Sequence, residues 1–296
     1  MKKIAIVFSI ILPLVTIAQV GIGTNTPSPS AQLEVSSTSK GYLMPRMTAA
    51  ERNAIVNPAN GLQIFNTTTG CINLYKVNAW FEVCGTYNLA AQYPAGSVFC
   101  VGPTAIVDVT NPTTGKTWMD RNLGASQVAT SATDAAAYGD LYQWGRGNDG
   151  HQCRTSATTT TLSSSDQPGH GDFILSPSTP NDWRSPKNDN LWQGLNGFNN
   201  PCPSGYRIPT GSEFNLEKTG WSQQNPITGA FNSIKLTASG FRGGLTGPLG
   251  NAGMVGYYWT SSYYLNDSNY ISIASGGAYI NPAKRATGYS VRCIKN

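Results

Sequence analysis

Short apolar runs separated by turn-forming residues characterise residues 19–90, and they predict a small module of strands with one helix. The segment AQLEVSS at 31–37 is strand-like. Thr48 and Glu51 have the spacing of a capping box, in which each side chain bonds the backbone N–H of the other residue. This spacing predicts a short helix from Ala49 to about Val56, which an Asn-Pro dipeptide ends.

Two further strand segments follow that helix. Residues 61–65 and 71–83 carry short apolar runs, and NTTTG at 66–70 supplies the turn residues between them. The module is therefore predicted to be a small mixed α/β unit built around a strand meander.

Strands and long loops around two short helices are predicted for residues 97–296. One helix is expected near Thr133 to Trp144, and the other from Gly211 to Lys218, where the sequence TGSE beginning at Thr210 has capping-box spacing. Between them, residues 155–200 are rich in Ser, Thr, Asn, Asp, Gly and Pro and have no useful periodicity. A loop of this length in a compact domain is usually functional or held by its own contacts.

The start of the chain has the features of a secretory signal peptide. Residues 1–18 contain two lysines, an apolar stretch from Ile4 to Ile17 and a small-residue cleavage site. The mature chain is expected to begin near Gln19 and to be secreted or held at the outer cell surface, in an oxidising compartment. No later apolar run has the length needed to cross a bilayer, so we expect no membrane span.

The charge balance argues against nucleic acid and membrane surfaces as partners. Without Lys2 and Lys3, the 20 basic residues fall to 18 against 15 acidic ones, a net charge of +3. This small excess, without clustered Lys or Arg, gives no basis for either partner. The 32 glycines, 18 prolines and 14 tyrosines are typical of loop-rich β structure.

The cysteine count predicts disulfides. An even number in an exported chain is most simply explained by disulfide bonds. The six cysteines are Cys71, Cys84, Cys100, Cys153, Cys202 and Cys293. Proximity across turn residues favours Cys71 with Cys84. Cys202 with Cys293 would join a middle segment to the last strand, which leaves Cys100 for Cys153.

The stretch DGHQCRTS places His151 two residues from Cys153, and His170 is the only other histidine. These three residues are candidate ligands for zinc or copper. Alternatively, His151 would stabilise a nucleophilic thiolate on Cys153. The third alternative, a structural disulfide with solvent-facing imidazoles, is favoured by the oxidising compartment.

Five segments within residues 115–296 resemble, in order, the Fibrobacter succinogenes major paralogous (FISUMP) domain, a family of exported bacterial surface proteins. They are GKTWMDRNLGA, YGDLYQWGR, NNPCPSGYRIPTGSEF, YYWTSS and ATGYSVRCIKN. That family is similar to the C-type-lectin-like fold of the formylglycine-generating sulfatase-modifying enzymes, through Tyr206 to Thr210 and Glu213. The resemblance implies an α+β, loop-rich domain with short helices and mostly antiparallel strands. The active-site cysteine motif of those enzymes is not matched, so no catalytic activity is expected.

The N-terminal module has a resemblance of its own. VGIGTNTPSPSAQLEVSS and the following KGYLMPRMTAAERNAIVNPANGLQIFNTTTGCINLYKVNAW resemble a segment that begins exported Bacteroidetes surface and fibre-like proteins. The resemblance implies an attachment or presentation module able to self-associate. It implies no chemistry.

The long loop supplies the candidate ligand-binding residues. Trp183 and Trp192 lie in its polar part, where an exposed indole would stack on a sugar ring or anchor a protein partner. Asp182, Asp189 and Asn190 are nearby polar candidates. C-type-lectin-like domains often hold calcium in such oxygen-rich loops, and we expect no cofactor other than calcium. The alternative is that these Asx side chains form local turns.

The aromatic and charged residues of the FISUMP-like motifs also have structural interpretations. Trp118, Trp144 and Trp259 are predicted to lie in the core. The charged residues would form buried ion pairs that lock strand ends, or would bind a carboxylate or a sugar hydroxyl. They are Asp120, Arg121, Arg146, Arg207 and Arg292.

Together these patterns predict a non-enzymatic surface binding or adhesion protein. Residues 19–90 would present the lectin-like domain, whose loop meets an extracellular glycan or a surface protein. One alternative is an oxidase of the formylglycine-generating type, which requires reduced or copper-bound cysteines. The other is a structural fibre-like or pilus-like subunit that assembles through residues 19–90 and binds no soluble ligand.

Overall fold

The computed structural model describes residues 19–84, 88–179, 181–221 and 224–296. The predicted signal peptide, residues 1–18, lies outside the described residues. Contacts between backbone segments divide the chain into two compact units, Met1–Tyr87 (unit 1) and Asn88–Asn296 (unit 2). Each unit forms its own sheets.

Unit 1 contains small sheets and one short helix. Its elements are β1 Val20–Ile22, β2 Leu33–Val35, β3 Arg46–Met47, α1 Ala49–Asn53, β4 Gln63–Asn66, β5 Cys71–Lys76 and β6 Ala79–Val83. Strands β1 and β2 pair in parallel, and β3 to β6 form a second sheet in chain order, in which only β3 and β4 are parallel. The Thr48 and Glu51 capping box is present, which confirms the predicted start of α1.

Two details of unit 1 differ from the prediction. Helix α1 ends at Asn53 instead of about Val56, because the chain turns at Asn57, which has a positive φ, before Pro58. The predicted strand over 71–83 is a hairpin of two strands. Val77 and Asn78 both have positive φ, 52° and 62°, as a two-residue type I′ turn requires.

Unit 2 combines many short strands with few helices. Its strands are β7 Asp108–Thr110, β8 Thr117–Met119, β9 Tyr142–Gln143, β10 Thr158–Thr159, β11 Phe173–Ile174, β12 Tyr206–Arg207, β13 Phe241–Arg242, β14 Leu249–Gly250, β15 Gly256–Tyr264, β16 Asp267–Ala274, β17 Gly277–Ala283, β18 Gly288–Tyr289 and β19 Ile294–Lys295. Its helices are α2 Gly211–Glu217 and α3 Pro226–Ile234, with 3₁₀ turns at Leu89–Gln92, Ala135–Ala137 and Lys218–Gly220.

The strands of unit 2 form three small antiparallel sheets and one parallel pair. The sheets have the orders β12-β19-β8-β7, β14-β13-β18-β9 and β15-β16-β17, and the parallel pair is β10-β11. The prediction of a loop-rich α+β structure with short helices and mostly antiparallel strands is therefore confirmed.

The core of unit 2 is aromatic. Trp118, Trp144 and Trp259 are fully buried, as predicted. The Cys202–Cys293 disulfide lies in the same core as Trp144 and Trp259. A covalent link inside this core therefore joins the segment before β12 to the residue just before the last strand.

The helices of unit 2 agree with the prediction at one site and differ at two. Helix α2 begins with the expected capping box. The helix expected over 133–144 is wrong, because Gly139 has φ 68° and packs so closely that a Cβ there would lie 2.3 Å from the Leu123 carbonyl oxygen. Helix α3 was not predicted, although Asn225 caps it and a proline occupies its first turn.

Candidate functional site

The described disulfides settle the chemistry of the cysteines. All six are paired, which confirms the favoured pairing: Cys71–Cys84, Cys100–Cys153 and Cys202–Cys293. Cys153 therefore has no thiolate for a metal or a substrate, and the nucleophile and metal-ligand hypotheses for it are wrong. An oxidase of the formylglycine-generating type needs reduced or copper-bound cysteines, and here each sulfur is bonded to another sulfur.

His151 is buried, so the prediction of a solvent-facing imidazole is wrong for this residue. Its Nε2 accepts the backbone N–H of Gln143 at 3.0 Å, so the ring proton is on Nδ1, which donates to Asp149 Oδ1 at 2.5 Å. Burial, together with the nearby Arg146 charge, lowers the pKa of His151 to about 4, although Asp149 opposes this shift. With both nitrogens engaged, this imidazole is a structural group. His170, in contrast, is exposed as predicted.

Arg146 joins the DGHQCRTS stretch to the long loop. Its guanidinium bonds Asp149 Oδ2 at 2.7 Å and 2.9 Å, and it also donates to the backbone oxygens of Asp172 at 2.9 Å and His170 at 3.1 Å. The side chain is fully buried and faces the Trp183 ring. The predicted buried ion pair of Arg146 is confirmed, and it fixes the backbone of the loop at residues 170–172.

The other charged motif residues form the predicted ion pairs, with the exception of Arg292. Arg121 pairs with Asp120 at 2.6 Å, and Arg207 pairs with Glu213 at 2.7 Å, so both form the expected ion pairs. Arg292 does not. Its buried guanidinium instead donates to the Asn122 side chain and to backbone carbonyls at the ends of α3 and β8. Each of these charges therefore has a partner inside unit 2.

The two predicted ligand-binding carboxylates both face a buried cation, Arg285, that the sequence analysis missed. Asp189 Oδ1 lies 2.5 Å from Arg285 Nη2, and Asp182 Oδ2 lies 3.7 Å from Nη1. The guanidinium carbon is 4.4 Å from the centre of the Trp144 ring. Burial raises the pKa of Asp182 to about 6, and the Arg285 charge opposes this rise. Asp182 and Asp189 hold the loop in place, whereas Asn190 stays exposed.

The prediction that Trp183 and Trp192 expose their indoles is wrong. Both side chains are buried. Trp183 donates its indole N–H to the Trp144 carbonyl at 2.6 Å, and Trp192 donates to the Asn199 carbonyl at 3.0 Å. The loop folds these aromatic residues inward, where they pack in two of the hydrophobic clusters of unit 2. These two tryptophans thus shape the loop, and their faces are not available for stacking on a ligand.

The local contacts favour the turn interpretation over calcium for some loop residues. Asn188 Oδ1 accepts the backbone N–H of Asn190 at 2.9 Å, which is an Asx turn. Asp166 pairs with Arg184, whose Nε lies 2.7 Å from Oδ1. A calcium site in this loop stays a prediction. Elsewhere in the described residues, Cys71, Glu82 and Cys84 place ligand atoms within 4.8 Å, but the two sulfurs are bonded to each other.

A cleft of about 500 Å³ lies beside the loop. It is lined by 94–98, 147–149, 166–167, 169–171 and 198–200. Asn199 joins two of its walls, because its side-chain amide donates to the Gly145 carbonyl at 2.8 Å and to the Asp166 carbonyl at 2.6 Å. The lining brings together an imidazole, carboxylates, amides and backbone groups, which suit a polar ligand.

Phe198 stands at the edge of this cleft with 65% of its surface exposed. It also lines a second cavity of about 370 Å³, formed with 91–94, 195–197 and 202–205. One exposed ring between two cavities offers an apolar face to a ligand that extends along both. The sequence analysis missed Phe198 because the GFNNP context has no signal apart from the aromatic residue itself.

Comparison with known proteins gives one match. A family model described as a phage tail like trimerisation region matches residues 21–96. Neither the curated proteins nor the solved structures contain a match to the chain. Among the residues that the structure describes, there is no helix long and apolar enough to cross a membrane.

Proposed function

We propose that this chain is an exported, surface-associated binding protein without catalytic activity. Unit 1 self-associates and presents unit 2, whose cleft beside Phe198 binds an extracellular glycan. The observation that carries the binding role is the exposed Phe198 ring between two cavities, the first of which has polar groups in its lining. A sugar ring stacks on such an apolar face while its hydroxyl groups bond the surrounding amides and carboxylates.

The proposal of a non-enzymatic role rests on the state of the reactive side chains. The cysteines are all paired, and His151 uses both ring nitrogens inside the fold. A secreted or surface location is supported by these disulfides, which form and persist in oxidising compartments. A surface protein as the ligand is the alternative to a glycan.

We also propose that unit 2 is a FISUMP-like domain with a C-type-lectin-like fold. The positions of the motifs support this. GKTWMDRNLGA contains β8, the YRIPTGSEF part of its motif runs from β12 into α2, and YYWTSS lies in β15. The Cys202–Cys293 disulfide joins two of these motifs, NNPCPSGYRIPTGSEF and ATGYSVRCIKN at the end of unit 2.

A glycan array tests the binding role. The oxidised protein is applied beside Phe198→Ala and a matched control, Tyr264→Ala, which removes an aromatic residue of similar exposure (60%) outside the cleft. We expect Phe198→Ala to weaken the strongest glycan interaction by about tenfold or more. We expect Tyr264→Ala to leave it unchanged. Equal binding by all three proteins would contradict the site, and binding only to purified surface proteins would identify the alternative ligand class.

The second candidate function is a structural subunit of a fibre-like or pilus-like assembly. The match of residues 21–96 to a trimerisation region favours it. A protein that assembles but binds no glycan and no surface protein would support this function over the binding role.

A further inference from the structure

The sheet β3-β4-β5-β6 of unit 1 has an exposed apolar face. The antiparallel register places Phe65, Ile72 and Val83 in one row and Leu74 opposite Phe81 in the next. Because side chains alternate between the faces of a strand, these five residues share one face. We call it the open face. Ile72, Phe81 and Val83 are 38%, 50% and 57% exposed.

The opposite face of this sheet is more buried and mixes apolar side chains, among them Ile64, Tyr75 and Trp80, with polar ones. Asn66 and Asn73 are fully buried there, and the Asn66 side-chain amide donates to Asn73 Oδ1 at 3.0 Å. Arg52 from α1 donates to the same oxygen at 2.6 Å. A sheet with one covered face normally turns its apolar side inward and its polar side to water. This sheet has apolar side chains on both faces, and those of the open face stay at least partly exposed.

A second apolar surface in unit 1 has the same character. In the parallel pair β1-β2, Val20 lies opposite Leu33 and Ile22 opposite Val35, so the four aliphatic side chains share one face. They are between 42% and 55% exposed. An isolated two-stranded pair is marginally stable in water and gains stability when a partner covers its apolar face.

The described part of unit 1 therefore buries little apolar surface by itself. Its fully buried hydrophobic residues are Ile64 and Cys71. Contiguous exposed apolar faces of this kind mark interaction surfaces. The match to a trimerisation region spans both surfaces almost completely. The partners that this match favours for both surfaces are further copies of the same chain. The five open-face residues carry no charge; the cations on the same face are Arg46, on the edge strand β3, and Lys76, at the end of β5.

We infer that the open face is the surface through which three copies of the chain pack. The inference rests on the proposed self-association and adds the residues that mediate it. Burial of Phe65, Ile72, Leu74, Phe81 and Val83 between copies would give unit 1 the apolar core that one chain lacks.

The test measures the mass in solution of the full-length oxidised protein by sedimentation and light scattering, across a dilution series. We expect the wild type to have about three times the 31.5 kDa chain mass, less the cleaved leader. Phe81→Glu should raise the concentration at which the assembly dissociates by roughly 100-fold or more. The matched control is Val56→Glu, which places the same charge at a position that is 84% exposed and off the open face, and it should assemble like the wild type.

A cross-linking measurement covers the case in which Phe81→Glu fails to fold. Phe81 is replaced by the photoreactive p-benzoylphenylalanine, which keeps the position aromatic and apolar, and the same replacement is made at Val56. Irradiation should give covalent dimers and trimers from position 81 and monomers from position 56.

The possible results distinguish the self-association of the chain from the role of the open face in it. A trimeric wild type with a trimeric Phe81→Glu variant and no intermolecular cross-link at position 81 would overturn the open face but not the self-association. A wild type that is monomeric at its highest soluble concentration would overturn both. Dimers as the largest species would overturn the trimeric packing.

Discussion

His151 should make the stability of unit 2 sensitive to acid. The imidazole is neutral in the folded protein, where burial lowers its pKa from 6.5 to about 4. In the unfolded chain the ordinary pKa of 6.5 returns. Below pH 6.5 the unfolded chain therefore binds a proton that the folded protein does not bind, and folding stability falls as the pH falls toward 4.

The size of this effect follows from the shift in pKa. Each pH unit in the window between the two pKa values changes the stability by about 1.4 kcal/mol. Between pH 7.5 and pH 4.5, the wild type should lose about 2.5 kcal/mol through His151 alone. Other buried groups act in the opposite direction, because burial raises the pKa of Asp140 to about 7 and that of Asp182 to about 6. A comparison with a variant that cannot titrate is therefore needed.

The variant is His151→Gln, whose side-chain oxygen can still accept the Gln143 backbone N–H. At pH 7.5 it should be about 1–3 kcal/mol less stable than the wild type, since the hydrogen bond to Asp149 is lost. Because Gln does not titrate, this difference should shrink by about 2.5 kcal/mol at pH 4.5.

The assay is urea unfolding followed by tryptophan fluorescence, which reports mainly on unit 2 because six of the seven tryptophans lie there. The free energy of unfolding is measured for both proteins at pH 7.5, 5.5 and 4.5. A difference between the two proteins that stays constant, or that grows as the pH falls, would refute a neutral buried His151.

Two further predictions concern Arg285 and the turn of the β5-β6 hairpin. Arg285→Met should lower the free energy of unfolding by about 3–5 kcal/mol at pH 7.5, because Asp182 is left buried without its cation, whereas Lys284→Met at an exposed neighbour should change it little. The loss should be smaller at pH 5, where Asp182 can take up a proton, and urea unfolding at the two pH values measures both effects. Val77→Asn should stabilise unit 1 by about 1 kcal/mol, since Asn tolerates the positive φ that strains a β-branched residue. Thermal unfolding of unit 1 followed by circular dichroism checks this gain, and a lower melting temperature would contradict it.

Features that depend on a few neighbouring residues were predictable from the sequence. The capping boxes at Thr48 and Thr210 fixed the starts of α1 and α2, because the interacting residues lie three positions apart. Cys71 and Cys84 are close along the chain, and the turn between them indicated their pairing. Helix α3 was overlooked although Asn225 and Pro226 are typical start residues, since Gly and Thr within it weaken the helical signal.

Features that depend on distant contacts were not predictable. Trp183 and Trp192 are buried by packing against residues distant in the chain, and backbone carbonyls accept their indole N–H groups; these contacts leave no pattern in the sequence. Arg285 lies about a hundred residues from the carboxylates that it neutralises, and no motif marks it. Phe198 belongs to a segment without periodicity, so only the assembled cleft reveals its exposure.

The hydrogen bonds of the Arg146 side chain affect the way in which a ligand would bind. Its guanidinium connects Asp149, in one wall of the cleft, to the carbonyl oxygen of His170 in another wall. It also bonds the carbonyl oxygen of Asp172, which lies beside that second wall. A long loop that is already immobile gives up little conformational entropy when a ligand arrives, so a larger share of the contact energy is retained as affinity. Recognition at this cleft would then resemble a rigid fit, with fast association and little change in backbone order.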